Sequence, residues 1–66
     1  MDKHRNHLLD SYINKFVKIE FTNTWIGIGK LSYSDGYYYL HDRNNNLREK
    51  FRKNNVKTIK LFHICK

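Results

Sequence analysis

The chain has 66 residues, 13 of them Lys or Arg against 6 Asp or Glu, for a formal charge of +7. That length holds one small domain, and 39% apolar with 15% aromatic residues is too rich a mix for a disordered tail. A single Cys excludes an intramolecular disulfide framework and a Cys-based zinc site, and no apolar run nears the roughly 18 to 20 residues that span a bilayer.

The first pattern is helical. Leu8, Leu9, Tyr12, Ile13 and Phe16 recur at spacings of three and four, with Asp2 or Asn6 available as a cap, which predicts a short helix over about 4–14. Its outer face carries Lys3, His4, Arg5, His7 and Lys15. It reads either as a lid on one end of a core or as a basic helix for a membrane surface or nucleic acid.

At Phe16 the period changes to two, and a half-buried strand over 16–22 is expected from Val17, Ile19 and Phe21 alternating with Lys18, Glu20 and Thr22. A turn at Thr22, Asn23 and Thr24 follows, with Asn23 best suited to a left-handed backbone. The second strand, over 25–33, sets Trp25, Gly27, Gly29, Leu31 and Tyr33 against Ile26, Ile28, Lys30 and Ser32; glycines inside a strand point to bending or close backbone approach.

Asp35-Gly36 supplies hairpin chemistry before a third strand over 37–42, in which either Tyr38 or the pair Tyr37 and Tyr39 faces inward. Arg43 with Asn44, Asn45 and Asn46 reads as an exposed loop tip. A fourth strand over 47–52 alternates Leu47, Glu49 and Phe51 with the basic Arg48, Lys50 and Arg52. Lys53, Asn54 and Asn55 form a tight connection with the length of one 3₁₀ turn, and a fifth strand runs over 56–64. A helix followed by five short strands with a glycine-bearing second strand predicts a mainly β domain, a strongly bent antiparallel small barrel of SH3-like or Sm-like type.

Phe16-Val17-Lys18-Ile19-Glu20-Phe21-Thr22-Asn23, then Gly29-Lys30-Leu31-Ser32-Tyr33-Ser34-Asp35 and Tyr37-Tyr38-Tyr39-Leu40-His41-Asp42, resembles the first motif of the Sm-like family. Phe51 to Ile59 resembles the second motif of its bacterial RNA-chaperone branch, with a basic turn between the fourth and fifth strands. The resemblance spans about 8–62 and implies the barrel and RNA binding. Asn23 is followed by Thr24 in place of Gly, Tyr39 stands near the family's base-binding Asn, and Arg52 and Lys53 fall where the bacterial branch has Lys-His. These departures bear on ring formation and uridine specificity, and the barrel survives them.

Catalytic chemistry is disfavoured and no cofactor is expected. His4, His7, His41 and His63 lack metal-ligand spacing apart from the first pair, and Cys65 has no activating motif beside it. Asp35 and Asp42 fit turns, and Gly27 and Gly29 precede no helix that could cradle phosphate.

Binding is better supported. Positive charge clusters at Lys3, His4 and Arg5, at Arg43, Arg48, Lys50, Arg52 and Lys53, and at Lys57, Lys60 and Lys66. Such an excess attracts polyanions through counterion release. The expected function is binding of RNA or single-stranded DNA, with Arg43, Arg48, Lys50, Arg52 and Lys53 on phosphates and Trp25, Tyr37 or Tyr39 stacking bases. The same residues have plainer readings: Trp25 as a core or interface residue, and the basic alternation of the fourth strand as a solvated edge.

Codons rich in A and T encode Asn, Lys, Ile, Tyr and Phe, which make up 32 of the 66 residues, and this points to a low-GC bacterium or its phage. An alternative function is therefore a phage-encoded anti-defence protein that sequesters a cyclic nucleotide signal, as small Sm-like phage proteins do. A third is a module whose basic face docks an acidic host protein. A homo-oligomer is expected from the short length and the aromatic surface. The opening Met-Asp-Lys-His-Arg lacks the apolar stretch of a signal peptide, so a cytoplasmic location with no membrane partner is expected.

Overall fold

The alternating segments do become strands. The computed structural model describes residues 5–63, ordered as α1 (His7–Asp10), β1 (Phe16–Phe21), β2 (Ile26–Ser34), β3 (Tyr37–His41), β4 (Leu47–Phe51), a 3₁₀ turn (Lys53–Asn55) and β5 (Val56–Leu61). The strands pair antiparallel in one sheet of order β4-β3-β2-β1-β5. Among the described residues no ladder joins β4 to β5. The sheet is therefore open among those residues, with the 3₁₀ turn joining its two end strands in sequence. No helix among the described residues is long and apolar enough to cross a membrane.

The helix is shorter than its periodicity predicts. Asn6 caps it, its side-chain oxygen accepting from the Leu9 N–H at 3.0 Å, but after Asp10 the chain closes i→i+3 turns and reverses at Asn14, whose φ is 69°. The reversal is forced by the sheet, since Asn14 N–H already bonds the Leu31 carbonyl of β2 at 2.8 Å. Of the five residues placed on one helical face, Leu9 is buried, Tyr12 and Ile13 pack beside it, and Leu8 points outward at 59% exposure. The alternative cap Asp2, the start of the expected helix at His4, and Lys3, Ile64, Cys65 and Lys66 lie outside the described residues.

Each turn has a local cause. Asp35 and Gly36 both take positive φ, 51° and 85°, which is the two-residue hairpin geometry Asp-Gly favours. In the first hairpin the left-handed residue is Thr24, at φ 72°, and not Asn23. The loop is three residues long, so its last position takes that conformation, and the Asn23 side chain instead accepts from the Trp25 N–H at 3.0 Å. The loop after β3 is also built: Asp42 Oδ1 accepts from the N–H groups of Asn44 and Asn46, both at 2.9 Å, while Asn45 takes φ 67°.

One face of the sheet forms the core. Among the described residues it comprises Leu9, Val17, Ile19, Phe21, Leu31, Tyr38, Leu40 and Phe51. Gly29 serves close approach, because a Cβ there would stand 2.7 Å from the His41 carbonyl oxygen of β3. The Phe21 ring of β1 meets the Phe51 ring of β4 edge to face at 4.9 Å between centroids, although two strands lie between them in the sheet. Tyr38 lies inward, and its hydroxyl ties the helix to the sheet by accepting from Asn6 N–H at 2.8 Å and donating to Asp10 Oδ1 at 2.7 Å.

Candidate nucleic-acid interface

With Tyr38 and Leu40 buried, the period of two places Tyr37, Tyr39 and His41 on the opposite, outer face of β3. Register then decides which side chains they meet. Tyr39 lies between Ser32 of β2 and Lys50 of β4, and His41 lies beside Lys30, with the Tyr39 and His41 rings tilted at 6.4 Å. Lys50 Nζ stands 4.4 Å and Arg52 Cζ 4.7 Å from the Tyr37 ring centroid, and Arg52 Nη2 donates to the Tyr37 hydroxyl at 3.1 Å. That bond and the Arg52 charge hold the Tyr37 phenol below its ordinary range, with a smaller contribution from Lys50. Tyr37, Tyr39, Lys50 and Arg52 thus form one cationic and aromatic patch.

The other expected site residues lie elsewhere. The ladder between β3 and β4 shifts register between Leu40 and His41, so that Leu40 faces Glu49 while His41 faces Leu47. The shift leaves Arg48 unpaired as a bulge residue and breaks the alternation on which a basic face of Arg48, Lys50 and Arg52 depended. Leu47, in step with Phe51 in the sequence alternation, is 55% exposed for the same reason. Arg48 borders a shallow hollow with Trp25, Ile26, Ile28 and Glu49. Arg43 sits exposed on the loop that Asp42 organises. Lys53 reaches the Arg5 carbonyl at 3.5 Å, beside the helix.

Trp25 precedes β2 and is 60% exposed, which removes the core reading. Its indole N–H donates to Glu49 Oε2 at 3.0 Å, beside a hollow of about 210 Å³ lined by Phe21, Asn23, Phe51 and Asn55 among others. Glu49 had no assigned role beyond its place in the alternation, and His41, Lys30 and Ser32 were not singled out as patch residues. Their positions depend on cross-strand register, which a single sequence does not display. His4 and Cys65 lie outside the described residues, and among those described no three His, Cys, Asp or Glu side chains gather as metal ligands. No family model, curated protein or solved structure matches the chain.

Proposed function

We propose that the chain is a non-enzymatic binder of RNA or single-stranded DNA, a strongly bent small barrel of Sm-like or SH3-like type that works as a homo-oligomer in the cytoplasm. The observation that carries the reading is the patch in which Lys50 and Arg52 are held against Tyr37 while Tyr39 lies next to Lys50. Cations fixed beside aromatic rings suit a flexible polyanion, because phosphates and bases then meet partners at alternating positions. In this reading Tyr37 positions the two cations and Tyr39 stacks. The bent form is supported by the contact of Phe21 with Phe51, since rings on strands three places apart in a flat sheet would be about 14 Å apart. Assembly is supported by the exposed Ile26, Ile28, Leu47 and Leu61, together with end strands that lack a neighbour on one side among the described residues.

The test is fluorescence anisotropy with labelled single-stranded oligonucleotides across a salt series. Affinity falls steeply with salt, and Lys50→Ala with Arg52→Ala flattens the log-log slope by about 1.4, or about 0.7 per lost phosphate contact. An unchanged slope removes this face from the interface. Weak salt dependence with a discrete nucleotide favours the signal-sequestering alternative, and a partner protein retained after nuclease treatment favours the docking module.

A further inference from the structure

We propose that Trp25 and Glu49 form a base-reading subsite for guanine, with the indole face stacking the base and the carboxylate accepting from its N1–H and N2 amino groups. The proposal rests on the nucleic-acid reading above and deepens it. A Trp whose only polar atom is already satisfied, and whose ring is nonetheless 60% exposed, offers a flat face held in a fixed orientation. The same hydrogen bond holds Glu49 at the rim of that ring. One indole donor occupies a small part of the acceptor capacity of a carboxylate, about four lone-pair sites, and an ionised carboxylate accepts only.

Guanine is the base whose Watson-Crick edge presents two adjacent donors, and Oε1, the carboxylate oxygen the indole leaves free, can accept from both. Uracil offers a single ring N–H between two carbonyl oxygens, both repelled by the carboxylate. The hollow of about 210 Å³ between Trp25, Glu49, Phe21 and Phe51 has room for one base. A Trp-Glu hollow also suits a cationic side chain of a protein partner. Charge decides between the two: Lys50 and Arg48 border this region and the chain carries +7, which repels a basic peptide and draws in phosphates.

The experiment is titration of the full chain with hexauridylate and with the same hexamer carrying one central guanosine or one central inosine. The fluorescence of Trp25, the one Trp in the sequence, is followed alongside the anisotropy of the labelled RNA. The guanosine hexamer binds roughly tenfold tighter than hexauridylate, and inosine, which lacks the N2 amino group, falls between them. Glu49→Gln abolishes the preference without weakening hexauridylate binding. Glu49→Asp retains the charge but withdraws it by one methylene and loses most of the preference, with circular dichroism confirming the fold of both variants. Equal binding of the three hexamers overturns the base-reading subsite and leaves the polyanion reading standing, whereas failure to bind any of them overturns both. Fluorescence quenched by arginine amide and not by the guanosine hexamer assigns the hollow to a cationic partner and overturns the proposal.

Discussion

Tyr38→Phe tests the tie between helix and sheet. The substitution keeps the ring in its core position, stacked on Phe51 at 6.0 Å and edge-on to Tyr33 at 4.9 Å, and deletes only the hydroxyl. Two hydrogen bonds are lost, one from Asn6 N–H and one to the Asp10 carboxylate. A neutral bond contributes about 1 kcal/mol and one to a charged group about 1.5 to 3. Because Asn6 and Asp10 are half-buried and water replaces part of what is lost, the expected cost is about 2 kcal/mol. For a domain of this size that lowers Tm by roughly 8 to 16 °C, measurable by thermal or urea unfolding.

The pH dependence gives a second readout. Burial, with the Asp10 contact, pushes the Tyr38 phenol up to about 12. Its folded pKa thus lies above its unfolded value of about 10, so its contribution is complete below pH 10 and lost between about 10 and 12. For Asp10, burial acts to raise the pKa, but hydrogen bonds from Tyr38 and Arg5 outweigh it and hold the carboxyl below its ordinary value. That contribution is present above pH 3.8 and lost as pH falls through the depressed folded value. Tyr38→Phe removes the alkaline loss and shrinks the acid one. A cost below about 1 kcal/mol, or an alkaline limb unchanged by the substitution, refutes the reasoning.

Three other outcomes follow from local geometry. Gly29→Ala destabilises by about 2 kcal/mol, because its Cβ would press on the His41 backbone carbonyl; Gly27→Ala costs less, since its nearest contact is the edge of the Phe21 ring, and urea midpoints rank the two. Thr24→Gly raises stability by about 1 kcal/mol in the same assay, because a β-branched residue is strained at φ 72°. The Tyr37 phenol ionises below its ordinary value, and Arg52→Ala returns it upward, as read by tyrosinate absorbance against pH; a Tyr37 titration unmoved by the substitution contradicts the contact.

Strand order along the chain was legible because period-two alternation is strong from Phe16 onward, and the Asp35-Gly36 turn follows from the φ preferences of those residues. Helix length was not. Leu8 and Phe16 extend the three-four pattern beyond what the fold uses, and the bond from Asn14 to Leu31 that ends it is a tertiary event. The site divides in the same way. Alternation alone placed Lys50 with Arg52 and offered Tyr37 with Tyr39 as one of two faces, but the register shift opposite Leu40 and His41 moved Arg48 and Leu47 out of step. A bulge leaves no mark in composition or periodicity, and the contact of Trp25 with Glu49, 24 residues apart, depends on the curvature of the sheet, which a single sequence does not display.

The tyrosine triplet shows how the packing of the core sets the composition of the outer face of the sheet. A core of so few residues needs large side chains to fill it, and Tyr38 enters whole, its hydroxyl satisfied by the helix that covers that end. Among the described residues the buried set is otherwise apolar. Because a strand cannot bury neighbours on one face, the inward commitment of Tyr38 sends Tyr37 and Tyr39 outward, where Tyr39 pairs with Lys50 of β4 and Tyr37 meets Lys50 and Arg52. The packing requirement of a small domain and its cationic-aromatic surface are therefore two consequences of the same alternation.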